Sequence, residues 1–584
     1  MSAIITSKFR FHNAEQFKES FSEAAPTNYY MFIGRQGEFA SGTTGGSDAV
    51  PPTPVDNRTA ESKHWDDMLA AKKIDSTGVA HAIPRRDLDT SGNTTYDMYR
   101  PDYSASKAAN SGATNLYDST FYFVTTAYRV YKVLDNNGNT AFTGGAEPTS
   151  TAAAPFTFGG YTLKYMYTLS TQDVQNFLTP DFMPVPTAPE SSNGLTDGAL
   201  HIIKVSGVGA AAGWATTADR VVTNIPIRGD GSKARCSVTI GGTSGSNGGQ
   251  ITAVSVSTNG QDYTHATVLA ADIIEQHNIQ FGSASSNTAL TFTTAPTFEV
   301  IIGPDGGQGG NPARELGGHF VMMDVKLQQS EGFDFTVVND FRQIGVVRDP
   351  FSYGTTSAYT GSTARQTFAI RTGNPTGSGF TVDERIYQTI PAQTINAGGL
   401  AVSSNTITVT TQAAHQLTTG QTVDISGGAF AGGVTNGHEG THHITVTGAT
   451  TFTYDVVSSR APTGNHSGTT TYTTSTPEGT VVEFDSVNNI LFYVQTSYDS
   501  QGTNATSKQN VPFGGNGTIT GDSSSTTAVP NVSFSSSLNN TTFSSGYATP
   551  EMQPDSGDVI YIENRKPISR ASDQTEDVKL IVEF

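Results

Sequence analysis

Four short runs in the second half of the chain alternate apolar and polar residues without a break: TITVT (406–410), TVDIS (422–426), HITVT (443–447) and TFTYDV (451–456). A period of two puts every second side chain on one face of a strand, so each run buries one face, as in a small β-sandwich. Glycine-containing turns separate these runs. Across the chain, 61 glycines and 26 prolines punctuate short apolar stretches in the same way. The expected fold is mainly β with a few short helices (an α+β core), multidomain, with a β-sandwich-like core domain interrupted by β-rich insertions. At roughly 150 residues per domain, 584 residues amount to about four domains. With 35% hydrophobic content, 31 Phe and 22 Tyr, the chain can bury real area.

The first stretch has a more mixed texture. Ile4, Ile5, Phe9 and Phe11 read as a strand. Asn13 then stands as an N-cap, with Gln16 three residues on and Phe17 and Phe21 one helical turn apart. YYMFIG (29–34) reads as a strand, and Thr59 caps a helix running to Ala71 with Trp65, Met68 and Leu69 inside. STFYFVTTAYRVYKVLDNNGN (119–139) reads as two strands and an Asn-Asn-Gly turn, and YTLKYMYTL (161–169) as another strand. Thr171 then opens a short helix that Pro180 ends. EGTVVEFDSVNNILFYVQTS (478–497) reads as a hairpin turning at Asn488-Asn489.

Texture also divides the chain. Residues 1–188, 318–350 and 551–584 form one discontinuous mixed domain. Residues 189–317 are a Gly/Ala/Thr-rich β insertion that includes SVTI (237–240) and ITAVSVS (251–257). Residues 351–550 are a Gly/Ser/Thr-rich insertion, with a small sandwich at about 399–460 and an extended arm at about 500–548.

Asp plus Glu number 52 and Lys plus Arg 33, a net charge of −19, and no Lys/Arg-rich run exists. Such a chain repels phosphate backbones, so nucleic acid is not an expected partner. No apolar run is long enough to span a membrane, and MSAIITSKFRFHN lacks the core of a signal peptide. The one cysteine, Cys236, excludes an intramolecular disulfide framework. Its place in the alternating ARCSVTI makes it a packed thiol rather than a nucleophile.

Several motifs imitate active sites. HEGTH (438–442) spells the H-E-x-x-H zinc-protease pattern, whose chemistry needs a helix to bring both histidines to one face. Glycines before and inside it, and the alternating run after it, make it a turn entering a strand. His438, His442 and His443 are expected to be exposed and open at most to adventitious metal. Asp135, Asn137 and Asn139 imitate a calcium loop, but Thr140 replaces the required glycine and Ala146 the bidentate glutamate. GPDGGQGGN (303–311) is a single copy of a repeat that must recur, and GVGAAAG (207–213) lacks dinucleotide-binding spacing. No catalytic, cofactor-binding or metal-binding residue is assigned, and no cofactor or small-molecule substrate is expected.

The segments AIITSKFR (3–10), FIGR (32–35), AIPRRD (82–87), YRVYKVLD (128–135), GGYTLKYMYTL (159–169), NDFRQIGVVRDP (339–350) and GDVIYIENRKPISRASDQTEDVKLIVEF (557–584) occur in one order. That order resembles the dimeric baseplate wedge subunit of T-even-like contractile-tailed bacteriophages. The closing segment matches most specifically, through Tyr561, Glu563-Asn564-Arg565, Pro567-Ile568 and Asp573-Gln574-Thr575-Glu576. The two Gly/Ser/Thr-rich regions have no clear counterpart in that family, although residues 399–427 look like a small β-domain that decorates many phage tail proteins.

The resemblance implies a structural protein of the virion tail baseplate, assembled in the host cytoplasm, and not an enzyme. It implies a homodimer that joins other wedge subunits around a central hub and takes part in the rearrangement that starts sheath contraction. Residues 83–87 and 563–565 are expected to form intrachain ion pairs rather than direct subunit contacts. A receptor-binding or adhesion protein of the tail is the alternative, and a glycan-cleaving tail enzyme a more distant one.

Overall fold

The computed structural model describes residues 5–39, 46–190, 195–282, 289–329, 334–389, 393–395, 397–415, 417–474, 476–495 and 511–584. Among them are 41 strands and five α-helices, gathered into many small, mostly antiparallel sheets, so the chain is mainly β and multidomain. It divides into two compact units, one of residues 1–20, 76–324 and 579–584, the other of residues 21–75 and 325–578.

In the first unit, the helix Ser7–Glu19 replaces the expected strand through Ile5, Phe9 and Phe11, Ile4 lying outside the described residues. Thr6, not Asn13, is the N-cap, its hydroxyl accepting the Phe9 N–H. The helical spacing then buries Phe11 and Ala14 together. A four-stranded sheet in the order Tyr122–Val124, Arg129–Asp135, Tyr161–Thr168, Phe156–Phe158 carries the main core, rich in Phe and Tyr. Elsewhere in this unit Val79–Pro84 pairs antiparallel with Phe182–Pro184 on one side and with Phe320–Met323 on the other. The expected helix after Thr171 is present as Thr171–Phe177, capped by a reciprocal Ser170–Asp173 pair. Between residues 195 and 302 the strands Arg220–Pro226, Arg235–Ile240 and Ile251–Thr258 pack with the helix Ala270–Phe281 around a separate core.

The second unit is built on an antiparallel sheet ordered Thr363–Arg365, Met68–Lys73, Tyr29–Gly34, Phe341–Arg348, Asp558–Ile568. The expected helix from Thr59 to Ala71 is shorter. Asn57 caps it, it covers Arg58–Asp67, and the chain turns extended at Met68. Met68, Leu69, Ala70 and Ala71 are all buried in a strand with a neighbour on each side. A continuous apolar run suits an interior strand covered on both faces as well as it suits a helix.

A sandwich follows, with sheets ordered Gln393–Ile395, Thr470–Thr474, Thr422–Ser426, Gly440–His443 and Leu400–Ser403, Thr406–Thr410, Thr451–Asp455, Thr445–Gly448. The inner residues of the alternating runs, including Ile407, Val409, Val423, Ile425, Phe452 and Tyr454, form its core. HITVT is not one strand, because the chain leaves one sheet at His443 and enters the other at Thr445, with Ile444 buried between them.

The hairpin Glu478–Asp485 and Ile490–Val494 turns at Asn489 as expected. It is central to a seven-stranded sheet whose other strands include Thr518–Gly521, Thr527–Ala528 and Tyr547–Ala548. The expected arm is thus a packed structure over 511–548, with Val511, Phe513, Ile519 and Phe543 buried; residues 500–510 lie outside the described residues. Its strands are two to four residues long, too short for alternation to reveal them.

Candidate assembly surface

The motifs that imitate active sites are each built into the local hydrogen bonding and packing. His438 is fully buried rather than exposed, and its Nε2 donates to the Gly427 carbonyl at 3.0 Å. His442 Nε2 donates to the His438 carbonyl at 3.1 Å, and its ring stacks on Tyr454. Both Nε2 atoms therefore carry protons. The backbone reaches φ +116° at Gly440 and enters a strand, so no helix aligns the two rings. Glu439 accepts the Gly427 N–H at 2.9 Å. Among the described residues no three His, Cys, Asp or Glu are grouped to hold a metal ion.

Asp135 accepts the Asn137 N–H and pairs with Lys204 at 2.5 Å, a turn with positive φ at Asn137, Gly138 and Asn139. The loop 303–311 is held to the protein by Glu315, which accepts from the Gly309 and Asn311 N–H groups. Cys236 lies in the Arg235–Ile240 strand, opposite Ile225 and Val256, and burial pushes its thiol up to about 12.

Within IPRRD, Arg85 pairs with Asp87 at 2.9 Å, while Arg86 lies over the Tyr122 ring and donates to the Tyr117 and Asp118 carbonyls. In ENR, Glu563 pairs with Arg565 at 3.2 Å and accepts the Tyr561 hydroxyl at 2.9 Å. Burial first, and the Glu563 carboxylate second, raise the Tyr561 phenol to about 12.

Asp558–Ile568 is the feature these motifs had masked: an eleven-residue strand at the rim of its sheet, with Phe341–Arg348 on one side and no further strand beyond it among the described residues. A long rim strand offers unpaired backbone groups to another chain unless something blunts it. The register slips between Val347–Val559 and Val346–Tyr561, which leaves Ile560 unopposed as a bulge and 45% exposed. Val559, Tyr561 and Ile562 are half-buried around it.

Two contacts cover parts of this rim. The Val559 N–H donates to Glu61, and the Asn564 amide, itself accepting from Gln343, donates to the Pro52 carbonyl. The covering segment also exposes Val50 and Val55. Pro567 within the strand was a legible sign of a rim position, since proline donates nothing to a ladder.

After this strand, Arg570 is buried beneath Glu576 at 2.6 Å, donates to the Thr336 carbonyl and lies near the Phe335 ring. Thr575–Glu583 is likewise the outermost strand of its own sheet. There Lys579 pairs with Asp324 at 3.3 Å, and Arg10 bonds to Glu583 and to the Phe584 carbonyl. No helix among the described residues is long and apolar enough to cross a membrane.

No curated protein matches the chain. The Phage-Gp8 family model, described as Bacteriophage T4, Gp8, matches residues 3–154 and 531–584. The matched residues include Tyr29–Gly34, Asp558–Ile568 and Thr575–Glu583, while the Phe341–Arg348 strand that joins two of them lies outside the match. Over these residues the chain is similar to Bacteriophage T4 Gp8, and the match supports a structural component of a T4-like phage tail baseplate.

Proposed function

We propose that the chain is a baseplate wedge subunit that pairs with a second copy of itself and with other wedge subunits around the hub, and that takes part in the rearrangement starting sheath contraction. The reading carries with it assembly in the host cytoplasm, and regions 189–317 and 351–550 as additions to the wedge-like parts. The observation that supports it best is the coincidence of the family match with the Asp558–Ile568 rim strand and its exposed Ile560. Strand addition gives affinity through main-chain hydrogen bonds and specificity through alternate side chains, and it can be made and broken as a unit.

Light scattering of the purified chain, alone and mixed with the other wedge proteins, tests this. The expected outcome is a species of twice the chain mass that enters a larger wedge complex. Ile560→Asp, at an exposed bulge, should leave stability within about 0.5 kcal/mol and weaken association at least about tenfold. A stable trimer indifferent to the wedge proteins would sink the proposal and favour the adhesin.

A further inference from the structure

The second unit holds a cleft of about 860 Å³, within the range of roughly 300–1,000 Å³ typical of ligand sites. One wall is the sandwich margin at Leu417–Thr419 and Val446; the other is the seven-stranded sheet at Phe368, Tyr493 and Tyr547. Most of the lining lies outside the residues matched by the family model.

Three properties of this cleft belong together. Among the described residues no Asp, Glu, Lys, Arg or His lines it, in a chain that carries a net charge of −19. Aromatic rings are concentrated there. Phe368 and Tyr493 stack with centroids 5.5 Å apart and Phe513 packs edge-on to Tyr493 at 4.7 Å, Tyr493 and Phe513 forming a buried floor, while Tyr353 at the rim, 36% exposed, is the ring most open to a ligand. Finally, neutral hydrogen-bonding side chains surround the rings. The side chains of Tyr353, Asn516, Ser544 and Thr549 line the cleft without a hydrogen-bond partner among the described residues.

The walls are fixed before any ligand arrives. Gln421 of the sandwich donates to the Pro512 carbonyl at 2.8 Å, and a Cβ on Gly514 would fall 1.6 Å from the Thr418 hydroxyl. The Tyr547 hydroxyl is held between Gly515 and Gln388.

From these observations we infer that the cleft binds a neutral oligosaccharide. Pyranose rings present apolar C–H faces that stack on aromatic rings, and their hydroxyls both donate and accept, as free amide and hydroxyl side chains require. An anionic ligand would find no cation among the described lining residues. A peptide strand would need a long open ladder, whereas the outermost strands at the cleft, Tyr547–Ala548 and Thr445–Gly448, are only two and four residues long, and the Val446 N–H is already taken by the Thr419 hydroxyl. This inference goes beyond the wedge proposal and does not depend on it.

Saturation-transfer NMR on the full chain tests it with maltohexaose, isomaltohexaose, mannohexaose and chitohexaose, and with hexagalacturonate as the anionic comparison. At least one neutral hexamer should bind saturably, with no binding of hexagalacturonate. Tyr353→Ala should weaken binding about tenfold, and Tyr353→Phe should retain most of it. Asn516→Asp, at an exposed rim position, provides a second variant that keeps the fold and should also weaken binding. Failure of all four neutral hexamers, preference for hexagalacturonate, or binding unchanged in both weakening variants would overturn the inference. Light scattering with wedge proteins reads the wedge proposal separately.

Discussion

Lys132 and Glu315 meet in the interior of the first unit with almost no side-chain exposure, and the ammonium also lies 4.6 Å from the centre of the Tyr99 ring. Removing one partner of a buried pair strands the other, at about 3–5 kcal/mol. Glu315→Leu should lower the melting temperature in calorimetry by that much stability. Lys132→Met combined with Glu315→Leu should lie closer to the parent, the residual loss coming from the freed Gly309 and Asn311 N–H groups.

His81 stacks on Phe11 and donates Nδ1–H to the Gly318 carbonyl. Burial first, and Lys18 second, lower its pKa to about 4. Because the folded value lies below the unfolded one, the unfolded chain binds more protons between about pH 4 and 6.5, and folding weakens as pH falls through that window. Urea titrations across it should show a loss of order 3 kcal/mol, absent in His81→Gln. The Lys132–Glu315 pair was not legible in YRVYKVLD. Tyr131 through Leu134 are all buried, so neither the apolar pattern nor the residue types mark which lysine is inside.

At the scale of elements, period-two runs were legible where one face meets a core and the other meets solvent, as in residues 406–410 and 451–455. They were not legible where both faces are covered, as at Met68–Ala71, or where strands are two residues long, as in 527–548. The amino-terminal helix was misread because Phe9 and Phe11 alternate, while the cap at Thr6 depends on the hydroxyl of one residue. The rim strand was legible as a segment through its family resemblance, and Pro567 hinted at a rim position, but which strand it pairs with, Phe341–Arg348 more than 200 positions away, was not legible.

Gly345 lies in that pairing, opposite both Phe32 and Ile562. A Cβ there would meet the Phe32 ring at 2.3 Å and the Tyr561 carbonyl at 2.7 Å. Gly345→Ala should cost about 1–3 kcal/mol and speed hydrogen exchange at Tyr561–Glu563 selectively. Unchanged exchange there would show that Asp558–Ile568 is not held as described.

Over the whole molecule, the net charge of −19 opposes association of two copies. If the chains pair through an apolar rim, salt helps by screening that repulsion, since the Debye length falls from about 30 Å at 0.01 M to about 8 Å at 0.15 M. The dimer fraction in sedimentation should rise over that range; a fall would point to an interface built from ion pairs. Cys236 has a consequence of another kind. A thiol that is fully buried and pushed up to about 12 is silent to maleimides at neutral pH, and it is the only cysteine in 584 residues. The native chain is thus already a blank background for spectroscopy. A cysteine introduced at exposed Ser572 would be the single reactive dye position on each copy, ready to report distances in whatever complex the chain enters.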